Sequence, residues 1–136
     1  MNKALNILLI EDDHIEVMKF DRTLSKLNSK HNLIKCNNGE QAIRVLRNGL
    51  VPDIILLDLN MPKLNGVEFL KLFKEDERFK YIPIIILTTS NNQKDLKDCY
   101  EIGIAGYILK PLKYEDYVIK IDSLLAYWST NELLKK

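Results

Sequence analysis

Between Pro52 and Pro62 the chain reads Asp53-Ile54-Ile55-Leu56-Leu57-Asp58-Leu59-Asn60-Met61. An unbroken aliphatic run this short, bounded by prolines, reads as a β-strand buried on both faces. Such a strand needs helices above and below it, which commits the chain to an α/β architecture. The run stops at a carboxylate, Asp58, and a turn begins at Asn60-Met61-Pro62. Open α/β sheets place their chemistry at the carboxyl ends of strands. An aspartate there also serves simply to open the next turn. What Asp58 does therefore depends on which other residues converge on it.

Two more runs have the same character, Leu5 to Ile10 and Tyr81 to Thr88. Two shorter, mixed segments, His31 to Cys36 and Gly106 to Lys110, suit the edges of a sheet. Helical patterns separate them. Val17, Phe20, Leu24 and Leu27 mark the first, which opens at Asp13 with Glu16 completing a capping box. Ala42, Ile43 and Leu46 mark the second, entered through Asn37-Asn38-Gly39 and closed by Asn48-Gly49. The third starts near Asn65-Gly66 and buries Val67, Leu70 and Phe73. The fourth, about Asn92 to Ile102, has only Leu96, Cys99 and Tyr100 as its stripe and Gly103 at its end, so it is expected to be the least firmly packed. The last is expected over about 114–133, extending beyond the core, and two readings stay open for its end: Tyr127 and Trp128 meet a partner, or Trp128 folds back onto strand 5 and its neighbouring helix.

Strands joined through helices are parallel, and the crossovers are right-handed. Apolar strands in the centre and helices on both faces are satisfied by the order 2-1-3-4-5. This is a doubly wound five-stranded parallel sheet in a flavodoxin-like three-layer sandwich. Winding reverses between strands 1 and 3, which brings Glu11 and Asp12 beside Asp58. Strands 4 and 5 deliver Thr88 and Lys110 to the same rim.

Composition limits the alternatives. The 136 residues fit a single domain spanning 1–136, and 46% hydrophobic with 29% charged residues excludes a disordered chain. A net charge of +1 carries no nucleic-acid footprint. No apolar run is long enough for a membrane, and Asn6 and Glu11 interrupt any signal-peptide core. Cys36 and Cys99 lack metal spacing and read as reduced thiols of a cytoplasmic protein.

The rim thus gathers the carboxylates of Glu11, Asp12 and Asp58, the Thr88 hydroxyl and the Lys110 amine. Two unit charges about 4 Å apart repel by about 4 kcal/mol at an effective dielectric near 20, so a proton or a cation must offset the carboxylates. Hard oxygen ligands open to solvent suit Mg²⁺, which keeps waters and pairs with phosphates. Lys110 can hold one phosphoryl oxygen and Thr88 another, leaving Asp58 placed to attack phosphorus as a carboxylate nucleophile.

Ile10-Glu11-Asp12, Asp58-Leu59-Asn60-Met61-Pro62 followed by Gly66, Leu87-Thr88-Thr89 and Gly106-Tyr107-Ile108-Leu109-Lys110-Pro111 together resemble the response-regulator receiver domain of two-component signalling, of the chemotaxis-regulator type. The resemblance covers nearly the whole chain. It implies that Asp58 accepts a phosphoryl group from the phosphohistidine of a sensor histidine kinase or phosphotransfer protein. It also implies that Asp12 binds Mg²⁺ (or Mn²⁺) directly, Glu11 through water, and Asn60 through its backbone carbonyl, with Asp58 as a further ligand. Thr88 and Lys110 then bind phosphoryl oxygens, Tyr107 is the aromatic switch that follows Thr88, and the Lys110-Pro111 bond is cis. Ile104 stands where the family commonly has alanine. Thr88-Thr89-Ser90 and Tyr127-Trp128 are similar to the stand-alone regulators that partner phytochrome-type kinases. No effector segment follows, so output is expected through protein contact, including a homodimer through the face of helix 4, strand 5 and helix 5.

Three other readings compete. An aspartate-nucleophile phosphatase of the haloacid dehalogenase type needs a general acid two residues past the nucleophile, where Asn60 stands. A flavin-binding module needs a phosphate-cradling loop after strand 1, where this chain has acids. A receiver that signals without phosphate would lack motif residues, and all are present.

Overall fold

A computed structural model describes residues 3–61 and 64–134; Pro62, placed by the sequence reading in the turn after Asp58, lies outside the described residues. The strands β1 (Asn6–Ile10), β2 (Asn32–Cys36), β3 (Ile54–Leu57), β4 (Ile84–Thr88) and β5 (Gly106–Leu109) alternate with α1 (His14–Lys26), α2 (Gly39–Arg47), α3 (Gly66–Glu75), α4 (Gln93–Ile102) and α5 (Tyr114–Ser129). Every strand pairing is parallel, and the order is β2-β1-β3-β4-β5.

Period-two alternation assigns each central strand residue to one of two cores. Leu8, Ile10, Ile55, Leu57, Ile84 and Ile86 pack beneath α2, α3 and α4, against Ala42, Ile43, Leu46, Phe69, Leu70, Phe73 and Cys99. Ile7, Leu9, Ile54, Leu56, Ile85 and Leu87 pack against α1 and α5 through Phe20, Leu24, Tyr117, Ile121, Leu124 and Leu125. This two-sided demand is why β1, β3 and β4 contain no polar residue between their ends. Buried Leu or Phe side chains each contribute about 1.5–3 kcal/mol, so the central strands anchor the rim that follows them.

The starts of α1 to α4 follow side-chain capping. Asn38, Asn65 and Asn92 each accept from the first turn of their helix, and Asn65 with Glu68 forms a reciprocal capping box. Gly103 closes α4 at φ 119°, a left-handed conformation that a side chain would strain. Cys99 is the only buried residue of α4, and Tyr100 is exposed, as the sparse stripe predicts.

Three expectations need correction. Asp13 does cap α1 through the Ile15 N–H at 2.9 Å, but the capping box with Glu16 does not form. The Asp13 N–H donates instead to Glu11 Oε2 at 3.3 Å, and Glu16 turns toward Lys110. Next, α5 ends at Ser129 rather than near 133. Ser129, Thr130 and Asn131 donate side-chain hydrogen bonds to the Ala126 and Tyr127 carbonyls, and such local competition stops a helix. Trp128 is half-buried and packs against the α1–α5 core, while Tyr127 stays exposed. Finally, the Lys110–Pro111 bond is trans, since the described residues contain no cis peptide. Trans is favoured by about 0.5–1 kcal/mol at an X–Pro bond. Lys110 also needs no cis turn to aim its amine inward: its N–H donates to the Thr88 carbonyl at 2.8 Å and its side chain already reaches Glu11.

Candidate functional site

The winding reverses between β1 and β3, and the acidic residues meet there. Glu11 leaves β1 with its N–H on the Cys36 carbonyl at 3.0 Å, and Asp58 leaves β3 with its N–H on the Ile10 carbonyl at 3.1 Å. Both residues are thus pinned by the backbone of a neighbouring strand. Glu11 is 4% exposed and Asp58 8%, while Asp12 is open to solvent. Carboxylate oxygens of all three lie within 4.8 Å of one another. Such an all-oxygen, partly open donor set fits a hard divalent cation such as Mg²⁺ or Mn²⁺.

Lys110 follows β5 and crosses the rim to this cluster. Its Nζ lies 2.6 Å from Glu11 Oε1 and 3.1 Å from Glu16 Oε1, and its side chain is 6% exposed. Burial pushes the Glu11 carboxyl up, to about 7; the hydrogen bond and charge of Lys110 oppose that rise, and Asp58 adds to it. Burial alone would lower the Lys110 ammonium, but the bond to Glu11 and the charges of Glu11, Asp58 and Glu16 raise it. The folded site therefore retains a proton on Glu11 that the unfolded chain has released between pH 4.5 and about 7. By linkage, this group's contribution to stability is present below pH 4.5 and is lost as pH rises through about 7.

Thr88 ends β4, fully buried, with its hydroxyl accepting from the Ser90 N–H at 3.3 Å. Tyr107, half-buried on β5, donates its hydroxyl to the Ser90 carbonyl at 2.8 Å. Ser90 Oγ in turn donates to Asp95 of α4 at 2.9 Å. The loop after Thr88 is thus tied to β5 and to the least buried helix, a physical link from the rim to the α4–β5–α5 face. Asn60 is exposed just beyond Leu59. The structure brings Glu11, Asp12, Asp58 and Lys110 together, with Thr88 at the end of the adjacent strand.

The sequence reading missed Glu16 as a member of this cluster and took it for a capping residue. A signal was present: Glu16 shares the inward face of α1 with Phe20 and Thr23, which are buried. An acid on an apolar stripe needs a partner, and the partner is distant in sequence.

The model of the response regulator receiver domain matches residues 7–122. Response regulator Rcp1 of Synechocystis is 32% identical over 128 residues, covering 90% of this chain and 87% of that protein. The crystal structure of the phosphorylated cyanobacterial phytochrome response regulator RcpA superposes with a TM-score of 0.90 at 30% identity, covering 98% of this chain and 100% of that one. The Mn²⁺-bound form of Rcp1 superposes with a TM-score of 0.88 at 31% identity, covering 96% and 99%. Sheet order, rim residues and these likenesses agree that the chain belongs to the response-regulator receiver family of two-component signalling proteins.

Proposed function

We propose that Asp58 accepts a phosphoryl group from the phosphohistidine of a sensor histidine kinase or phosphotransfer protein, and that the chain signals by a change in its contact surface. The observation that carries this reading is the meeting of Glu11, Asp12 and Asp58 within 4.8 Å, with the Lys110 ammonium at their edge. Asp12 and Asp58 would hold Mg²⁺ or Mn²⁺ directly, with Glu11 through water and Asn60 through its backbone carbonyl. When bound, the cation offsets the charge of the carboxylates and of the incoming phosphoryl oxygens.

An Asp58 carboxylate oxygen forms a bond to phosphorus as the phosphorus–nitrogen bond of phosphohistidine breaks. The bonding pair leaves with the imidazole, which takes up a proton, and Asp58 becomes an acyl phosphate. Thr88 donates its hydroxyl to one phosphoryl oxygen and Lys110 its ammonium to another. Hydrolysis of that acyl phosphate by water returns the carboxylate, so the only chemistry is the protein's own phosphorylation and dephosphorylation.

The Thr88 hydroxyl accepts from the Ser90 N–H, so drawing Thr88 toward a phosphoryl oxygen pulls on that contact, and Ser90 is bonded to Tyr107 and Asp95. A shift there biases the α4–β5–α5 face. That face exposes Leu109 and Ile119 and includes a groove lined by Tyr107, Ile108 and Leu124. It is the surface expected to meet a target protein or a second copy of this chain. Among the described residues no helix is long and apolar enough to cross a membrane. Buried Cys36 and Cys99, with thiols pushed up to about 11 by desolvation, suit the reducing cytoplasm.

The test is phosphotransfer from the source organism's histidine kinases, each first labelled by its own autophosphorylation. At least one kinase should pass its label rapidly to this protein. No transfer from any kinase or phosphotransfer protein contradicts the reading.

A further inference from the structure

Glu16 has no part in the roles assigned so far. Its Oε1 is out of solvent and lies 3.1 Å from Lys110 Nζ, yet no hydrogen bond is directed at that oxygen. The ammonium is at ion-pair distance but donates elsewhere, to Glu11 Oε1 at 2.6 Å. The other oxygen of Glu16 is 3.8 Å from Lys19, whose ammonium sits 4.3 Å above the Tyr117 ring. A buried carboxylate oxygen without a hydrogen bond is costly, and the nearest donor is Lys110. Lys110 is therefore drawn by two carboxylates on the β1–α1 side of the rim. Asp58 acts on it by charge, from beyond ion-pair distance.

We infer that Glu16 is a positioning residue that competes with the phosphoryl group for the Lys110 ammonium, and so sets how tightly the phosphorylated form is held. This rests on the reading of Asp58 as the acceptor. A phosphoryl oxygen on Asp58 recruits Lys110 only by drawing its amine away from these carboxylates. Glu11 stands at the metal cluster itself. Glu16 is anchored in the first turn of α1, so its pull persists whatever occupies the cluster.

The test is the dissociation constant of beryllofluoride, a phosphoryl mimic, at saturating Mg²⁺, measured by calorimetry on the wild type, Glu16→Gln and Glu16→Asp. Gln removes the charge in the same shape. Asp keeps the charge but withdraws it from Nζ by one methylene. Both substitutions should tighten beryllofluoride binding about three- to tenfold, the scale of one charge-assisted hydrogen bond partly lost to competition. Thermal melting establishes that each variant is folded. Tightening by Gln with wild-type affinity in Asp would make Glu16 a diffuse repulsive charge and overturn the inference. Unchanged or weaker binding in both would also overturn it, leaving Asp58 as acceptor. A wild type that binds no beryllofluoride removes the acceptor reading and this inference together.

Discussion

Gly66→Ala should destabilise the protein by about 1–3 kcal/mol, the cost of forcing a group into packed surroundings, and should slow phosphorylation at Asp58. A Cβ on Gly66 would lie 2.6 Å from the Leu59 Cα and 2.8 Å from the Asp58 carbonyl oxygen. Both obstacles are backbone, so no side-chain rotation relieves them. The Gly66 N–H also donates to the Leu59 carbonyl at 3.2 Å, tying the start of α3 to the segment that follows Asp58. The strain must move either α3 or the Asp58–Leu59 backbone. Helix propensity favours alanine over glycine by less than about 1 kcal/mol, too little to reverse the sign. Gly106→Ala is the comparison: its Cβ would meet Ile85 at 3.6 Å, ordinary contact, and the change should be nearly silent. Urea denaturation of both variants checks the contrast. Equal stabilities would show that Gly66 is not a close-packing constraint.

Asp12→Ala should abolish stabilisation by Mg²⁺ and reduce Mg²⁺-dependent phosphorylation by at least about a hundredfold, since a metal contributes several kcal/mol to charge stabilisation. Asp12 is the solvent-facing member of the three-carboxylate cluster, so its loss removes a carboxylate without opening a cavity. In the wild type, Mg²⁺ at ten times its Kd stabilises the fold by about 1.4 kcal/mol through binding to the native state only. That corresponds to about 5 °C in Tm for a chain of this size. At a fixed millimolar Mg²⁺ concentration the gain should be larger at pH 8 than at pH 5, because Glu11 has released its proton above about 7 and the site then carries more negative charge, which lowers the Kd. Without metal, Asp12→Ala should melt no lower than the wild type, since it relieves repulsion. A wild-type Tm indifferent to millimolar Mg²⁺ contradicts the metal site.

The sheet was legible in the sequence because burial on both faces leaves no room for polar residues in β1, β3 and β4. Their mixed composition marked β2 and β5 as edges. Asn38, Asn65 and Asn92 announced helix starts, because a cap is a local event within a few residues. Glu11, Asp12, Asp58, Thr88 and Lys110 could be placed together once the strand order was known, since each follows or ends a strand. What the sequence did not show depends on distant partners. Glu16 looked like half of a capping box, and only the approach of Lys110 from β5 reveals its pairing. The end of α5 depended on which carbonyls Ser129, Thr130 and Asn131 would take. The Lys110–Pro111 isomer turned on a small intrinsic difference that local pattern does not resolve.

The central claim, that Asp58 is the acceptor, is tested most directly by incubating the protein with acetyl phosphate and Mg²⁺ and weighing it intact. The account predicts one added phosphoryl group, lost when the metal is chelated before the reaction and absent in Asp58→Asn. Labelling that persists in Asp58→Asn, or a wild type that gains nothing, would contradict it.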